Sequence, residues 1–500
     1  MNPRKLNPVP PLRVRAANRQ PSRPDGQYVL YWMTAQRRSQ WNFALQHAVH
    51  RAMEWNRPLV VFEPLRARYQ WASDRLHRFV IEGMRDNAQA FANTPVTYFP
   101  YVEPEGGVAT PLLHLLAAEA CVVVSDDYPC FFLPQLVRTV ADRLPVALEL
   151  VDSNSVIPMR AADRTFTVAH SYRRWMQKVV ADYLSDPPLA DPIRDARFPR
   201  LSGLPSRITQ RWPAADLERL LAPEGLRDLP IDHHVKPGPL AGGRIAALGR
   251  LDEFLGRRLS SYEEDRNQPD VEGSTGLSPY LHFGQISAHE IVSRILDAED
   301  WDPSRLGRPL GKNHGFWGTQ PSAEALLDQL LTWRELGFNM CSRELNYDRY
   351  ESLPNWARQT LAKHARDPRE RVYTLEQFAA AETHDHLWNA AQRQLNRDGV
   401  MHNYLRMLWG KKILEWTRSP EQALEIMIEL NNRYALDGRD PNSYSGIFWV
   451  LGRYDRAWGP ERPIFGLIRY MSSENTQKKV RVRQYLERYG ADADSRLFPR

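Results

Sequence analysis

The sequence predicts an α/β N-terminal domain on a parallel sheet, followed by an all-α C-terminal domain. Three observations carry that prediction. Short apolar runs alternate with stretches of helical periodicity as far as about residue 160. A connector rich in Pro, Arg and Gly follows, densest over 185–245. From about Gly243 helical periodicity continues almost without strands. A chain of 500 residues has two domains as its natural expectation.

Residues 1–26 are Pro- and Arg-rich and have no hydrophobic period, so they predict a disordered basic tail. They lack the apolar stretch of a secretory signal. The α/β domain is expected over 27–160. YVLYWMT, from Tyr28, reads as its first strand, and QWNFALQHAVHRAMEW over 40–55 has helical spacing. PLVVFEP from Pro58, TPVTYFPYVE, CVVVSDD and PVALELVD read as further strands, with a helix near 111–119. Strands alternating with helices mean a parallel sheet covered on both faces. No G-x-G-x-x-G follows the first strand, so the usual dinucleotide fingerprint is missing.

The connector is expected over 161–242, with local structure at AADLERLL. The helical domain is expected over 243–490. Its helices are IAALGRLDEFLGRRL, SAHEIVSRIL, EALLDQLLTWREL, NYLRMLWGKKILEW and EQALEIMIEL. Ser287 and Glu290 have the spacing of a capping box. The insert starting at Trp301 reads as a surface loop.

Composition narrows the class. The chain is 42% hydrophobic, has no apolar run of membrane length and has a mean hydropathy of −0.54, which predicts a soluble protein. Cys121, Cys130 and Cys341 show no metal-ligand spacing and cannot build a disulfide framework, so a reducing intracellular compartment is expected. A net charge of +6 suits an anionic partner such as nucleic acid. Fifteen Trp residues are a further signal, because Trp needs work for its ring or its N–H.

The densest chemistry lies over 401–440. Trp409 and Trp416 are seven apart, so two helical turns place them on one face. Arg406 and Met407 precede them, and Asn431 and Asp437 follow in a segment that breaks at Gly438. These residues suit a site that holds a flat polar ring and moves electrons to it. An aromatic-rich helical core is the plain alternative. In GSTGLSPYLHFG, Ser278 reads as an N-cap with Pro279 at N1, after Ser274, Thr275 and Gly276. Hydroxyls and bare amides at a helix start attract phosphate, and an ordinary capped helix is the rival reading. His384 and His386 flank Asp385, but two residues apart on a helix start they point apart, so no metal site is expected.

Taken together, GSTGLSPYLHFG, WREL, THDHLWNAAQ, MHNYLRMLWGKKILEW, LNNRYALDGRDPNSY, DRAWG and IRYMS resemble class II cyclobutane pyrimidine dimer photolyases. These belong to the photolyase–cryptochrome superfamily. The resemblance covers roughly residues 27 to 490, in register. It implies an antenna-type α/β domain and an all-helical FAD-binding domain. It implies light-driven repair of UV-damaged DNA, in which photoexcited reduced FAD lends an electron to a flipped-out dimer. A possible second chromophore, a deazaflavin or a folate, is left open.

By the same resemblance Tyr262, Ser274, Thr275, Gly276, Leu277 and Ser278 hold the FAD phosphates. Arg406 and Asp437 form an ion pair beside the flavin ring, and Asn431 lies near its N5. Trp409, Trp388 and Trp416 form a photoreduction chain, proximal to distal. Met407, Trp449, Trp333 and Gln329 meet the lesion. Arg266, Arg456, Trp458 and Arg469 belong with the DNA-binding set. Gln329 departs from the family, which commonly has Glu there, with Asp328 beside it as a substitute. Tyr98, Asp126 and Asp127 are candidates to border an antenna pocket. The expected protein is a cytoplasmic, DNA-associated monomer. A cryptochrome-like photoreceptor is the rival, disfavoured by the lack of a long C-terminal extension and kept open by Gln329.

Overall fold

The computed structural model describes residues 8–491, which divide into two compact units. The first contains residues up to Asp163, Val180–Asp252 and Leu277–Ala298. The second contains Arg164–Val179, Glu253–Gly276 and the chain from Glu299.

The first unit is a six-stranded sheet, β1 (Val14–Ala16), β2 (Tyr28–Trp32), β3 (Leu59–Leu65), β4 (Thr97–Val102), β5 (Ala120–Asp126) and β6 (Leu148–Val151). The strand order is β1-β6-β5-β2-β3-β4. Every pairing is parallel except β1 with β6. All residues of β2, β3 and β5 are buried, as expected for parallel strands covered on both faces. Alternate side chains separate into two cores. Leu30, Phe62 and Val123 meet the helices Ala109–Glu119 and Leu133–Ala141. Val29, Tyr31, Val61 and Val124 meet α1 (Phe43–Glu54).

The expected disordered tail is corrected from residue 8 onward; residues 1–7 lie outside the described residues. Pro11–Arg13 form a 3-10 turn and Val14–Ala16 add the edge strand. Buried Arg13 donates to the carbonyls of Asp152, Ser155 and Val156, and Arg15 makes a two-point pair with Asp127. A tail's composition cannot show such long-range partners.

The helical boundary also shifts. The segment Leu277–Ala298 belongs to the first unit, whereas Arg164–Val179, inside the expected connector, belongs to the second. Most of Arg164–Val179 is the start of a helix, Ala169–Leu184, that the connector reading did not include. Ser278 is the first helical residue, not the cap, which falls at Leu277 without a side-chain cap bond. Ser287 Oγ does accept from the His289 N–H, but Glu290 takes both terminal nitrogens of Arg244, so the capping box is half made.

Among the described residues the second unit has helices and isolated bridges but no named strand. Its centre is the helix Pro441–Val450. It packs on Glu335–Arg343, on Asn403–Glu415 and on a π-helical turn, Gln329–Arg334. Two glycines permit these approaches. A Cβ on Gly337 would lie 2.7 Å from the Pro441 carbonyl oxygen, and one on Gly410 would lie 2.5 Å from a Val450 methyl. Asn403–Glu415 also packs on His386–Asp398 and Pro420–Tyr434. No helix among the described residues is long and apolar enough to cross a membrane.

Candidate active site

Three indoles meet inside the second unit. Trp388 sits on His386–Asp398, a helix capped by Asp385, whose carboxylate accepts from the Trp388 N–H. Trp409 sits on Asn403–Glu415, and Trp416 ends that helix. The Trp388 and Trp409 rings stack with centroids 6.5 Å apart and planes 4° from parallel. Trp416 meets Trp388 at 6.1 Å and 67°. All three are buried, Trp388 completely. Each buried N–H needs an acceptor. Trp388 Nε1 donates to the Trp409 carbonyl at 3.0 Å, and Trp409 Nε1 donates to Gln392 Oε1 at 2.8 Å. Gln392 closes the motif THDHLWNAAQ, but the motif carries no role for it, because its partner Trp409 lies on another helix. Beyond Trp416 lie Tyr373 and His384, within 5.7 and 4.9 Å ring to ring, with the Tyr373 hydroxyl 2.7 Å from His384 Nδ1.

The same helix presents Arg406 to Asp437, with Nη2 3.0 Å from Oδ1. Both side chains are largely buried. Asn431 is buried near the C-terminal end of Pro420–Tyr434. Its Nδ2 donates to Ser443 Oγ at 2.7 Å and to Asn432 Oδ1 at 3.3 Å, which fixes the amide. Ser443 lies in the motif LNNRYALDGRDPNSY, but its bond to Asn431 was not among the expectations.

Tyr262 is buried, with the Arg266 guanidinium 5.8 Å from its ring. Burial raises the Tyr262 hydroxyl above its ordinary range, against the opposing charge of Arg266, so it stays a donor. Ser274 and Thr275 follow Gly273, where a Cβ would lie 2.4 Å from the Asp265 backbone. Arg258 Nη1 ties down the carbonyls of Glu272 and Ser274. Gly276 then adopts φ +66, the left-handed region that glycine tolerates. Arg266 Nε is buried without a protein partner, and the His402 ring is buried beside the Arg266 backbone. Burial lowers the His402 imidazole to about 4, so it is neutral near pH 7. A donor without a partner, an Arg–Asp pair and a fixed amide form a set that a polar aromatic cofactor such as a flavin would satisfy.

Gln329 and Trp333 both lie on the π-helical turn and both are half-buried. The sequence predicted an ordinary helix here. A π-turn within a helix has no sequence signature, and such turns recur at functional sites. Asp328 is held by a two-point pair with Arg173, at 2.6 and 3.0 Å, and is buried. That engagement removes it as a substitute for Gln329.

A cluster of cations and indoles lies past the end of Pro441–Val450. Arg469 donates to both oxygens of Asp455, at 2.8 and 3.0 Å, and Trp458 Nε1 donates to Asp455 Oδ1 at 3.1 Å. Burial alone would raise the Asp455 carboxyl, but these bonds overcome it and hold the group below its ordinary value. The Arg469 guanidinium lies 4.0 Å from the Trp458 ring and 5.3 Å from Trp449. Arg456 stacks on Trp458 at 4.5 Å and is exposed. Met407 and Trp449 are half-buried on the two helices that Gly410 brings together. Asp455, which organises this cluster, was not among the predicted site residues.

The first unit gives Tyr98, Asp126 and Asp127 structural partners. Asp126 accepts from the backbone amides of Thr34, Ala35 and Gln36 and from the Tyr31 hydroxyl. Tyr98 donates to Glu63, and Asp127 pairs with Arg15 and Arg160. Among the described residues no group of three His, Cys, Asp or Glu residues has metal-holding geometry.

Comparison with known proteins places these features in a family, although no family model matches the chain. It is 34% identical to a deoxyribodipyrimidine photo-lyase of Methanothermobacter thermautotrophicus over 481 residues, which is 95% of this chain and 97% of that protein. It is 33% identical to one of Arabidopsis thaliana, covering 96% and 92% of the two chains. With one of Potorous tridactylus it shares 32%, covering 94% and 82%. A class III photolyase structure from Agrobacterium tumefaciens has the same fold, with a TM-score of 0.66 at 15% identity over 93% of this chain and 86% of that one. Identity at this level, spread over nearly the whole of both chains, shows that the chain belongs to the deoxyribodipyrimidine photo-lyase family.

Proposed function

We propose that the chain is a class II photolyase that binds FAD and splits cyclobutane pyrimidine dimers in UV-damaged DNA under light. The observation that carries the class assignment is the buried indole series Trp409, Trp388, Trp416, whose rings touch in that order. When bound, reduced FAD supplies the light-excited electron that opens the cyclobutane ring and receives it back, so the protein's task is positioning and electrostatics.

The residues have distinct tasks in this reading. Arg406, fixed by Asp437, places positive charge and N–H donors where a reduced ring carries negative charge. Asn431, oriented by Ser443, presents an amide that can donate or accept. Tyr262, Ser274, Thr275, Gly276, Leu277 and Ser278 are the phosphate-facing set. Trp409, Trp388 and Trp416 conduct charge inward from the Tyr373 and His384 side. Gln329 and Trp333, with Met407 and Trp449, receive the flipped dimer. Gln329 donates to a base carbonyl at any working pH, which a carboxylate does only when protonated. Arg456, Arg469 and Trp458 grip the duplex around the gap, and Arg266 adds a further positive group. A dimer is already poorly stacked and paired, which lowers the cost of extruding it. The Arg406–Asp437 pair and the Trp449 cluster lie in one compact unit, and the proposed working form is a monomer. The photoreceptor reading has no observation in its favour beyond Gln329.

The test is substrate range. The FAD-loaded, reduced protein should clear cyclobutane dimers from duplex DNA under blue light and leave pyrimidine photoproducts without a cyclobutane ring untouched. Repair of the latter, or of neither, defeats the assignment.

A further inference from the structure

One buried charge in the second unit is Lys411. It lies on Asn403–Glu415 one turn after Met407, and its side chain is fully buried. Its Nζ donates to the Val450 carbonyl at 2.5 Å and lies 4.9 Å from the centroid of the Trp449 ring. Among the described residues it has no ion-pair partner, since Asp455, the acidic group that acts on it, is already taken by Arg469. Burying an ammonium without a counter-charge is unfavourable, and a Met would fill the same space without that cost. The position of the charge accounts for its presence: Lys411 and Arg469 both lie over the Trp449 ring, 4.9 and 5.3 Å from its centroid. A desolvated cation over an indole face is among the stronger aromatic contacts.

We propose that Lys411 is a positioning residue for lesion binding: it fixes the Trp449 indole, and through it the attitude of Arg469, so that the flipped dimer meets a rigid face. This rests on the reading of Trp449 as a lesion contact given under Proposed function. Lys411 touches neither DNA nor cofactor and acts only through Trp449 and the end of its helix.

The device is sensitive to pH. Burial pulls the Lys411 amine down to about 7; Asp455 opposes that shift and Arg469 adds to it, and these are the charged groups that act on it. The cation is therefore present below neutrality and lost above it, so dimer binding should weaken as pH rises from 6 to 8.5.

The test uses the full chain loaded with FAD and a duplex carrying one cyclobutane thymine dimer. Dissociation constants are measured from pH 6 to 8.5 for the parent, Lys411→Met, Trp449→Phe and the double variant. Lys411→Met should weaken dimer binding at pH 6 about fivefold to thirtyfold, or about 1–2 kcal/mol at 1.4 kcal/mol per tenfold change. It should flatten the pH profile and leave flavin content unchanged. In the Trp449→Phe background the same substitution should change binding less than twofold, because a residue acting through Trp449 has nothing left to position. Trp449→Phe with Lys411 intact should also lose the pH dependence, which tests the idea even if Lys411→Met folds poorly. Parent-like affinity and pH profile in Lys411→Met, or an undiminished effect in the Trp449→Phe background, overturns the proposal alone. A parent protein that fails to clear dimers under light overturns the lesion-site reading and this proposal with it.

Discussion

Replacing Trp388 by Phe should stop light-driven charge transfer into the protein while leaving the fold and the repair step intact. Trp388 is the ring that touches both neighbours, at 6.5 Å from Trp409 and 6.1 Å from Trp416. A Phe ring is much harder to oxidise than an indole, so the middle of the path becomes a gap. The structural loss is modest. The smaller ring leaves a partial void worth about 1 kcal/mol, and the bond from Nε1 to the Trp409 carbonyl is worth about 1 kcal/mol more. A loss of about 2 kcal/mol in a chain this long lowers Tm by no more than a few degrees. The assay illuminates protein carrying oxidised FAD, with an external reductant present, and follows the loss of oxidised-flavin absorbance. The parent should bleach, and Trp388→Phe should bleach at least tenfold more slowly. When both are reduced chemically beforehand, they should repair dimers at equal yield per photon. Parent-rate bleaching in the variant would refute the indole path; equal loss of bleaching and repair would place Trp388 in the fold or flavin site instead.

Three further outcomes are expected. Arg469→Ala should lower the ratio of dimer-DNA to undamaged-DNA affinity because it strands the half-buried Asp455 and loosens Trp458, whereas exposed Arg456→Ala should weaken both duplexes alike and reduce the salt slope by about one; titrations of both duplexes at several salt concentrations decide it. Gln329→Leu should bind FAD normally but lose most repair, since a dimer edge left unpaired in a dry pocket costs about 1–3 kcal/mol, and Gln329→Glu should keep activity with a new pH dependence; unchanged repair in Gln329→Leu would remove this residue from the lesion. Stability should fall in acid through Glu149. Its burial alone would raise the carboxyl, but bonds from His47 and Arg51 hold it at about 2. With its folded value depressed, its contribution is fully present above its ordinary value of 4.5 and disappears as pH falls from there toward 2. Glu149→Gln should abolish that part of the acid loss in a denaturant series, and an unaltered acid profile would contradict it.

The sequence specified the architecture where periodicity was strong. β2, β3 and β5 are each built on an apolar run, and each formed a fully buried strand where it was expected. The spacings of Trp388, Trp409 and Trp416 were visible as residue numbers, although the stack itself depends on two helices meeting, which no single segment encodes. Failures came from tertiary partners. Arg13 and Arg15 look like tail residues until Val156 and Asp127 are placed beside them. Gln392, Ser443 and Asp455 lie within the motifs THDHLWNAAQ, LNNRYALDGRDPNSY and DRAWG, yet nothing in those motifs shows that each holds a candidate site residue in place. Asp328 looked available beside Gln329 and is committed to Arg173, 155 residues away. Lys411 stands one residue from a glycine in an unremarkable Lys-Lys pair, and only burial separates it from its exposed kind.

The activity proposed for this chain is the conversion of light into cleavage of the cyclobutane ring in DNA. The direct measurement is the number of dimers split per protein molecule in duplex DNA, with reduced FAD bound, under blue light and in matched darkness. Many dimers per molecule are expected in the light, none in the dark, and no net consumption of reductant. Splitting in darkness, or none under light by protein with its flavin bound and reduced, would contradict it.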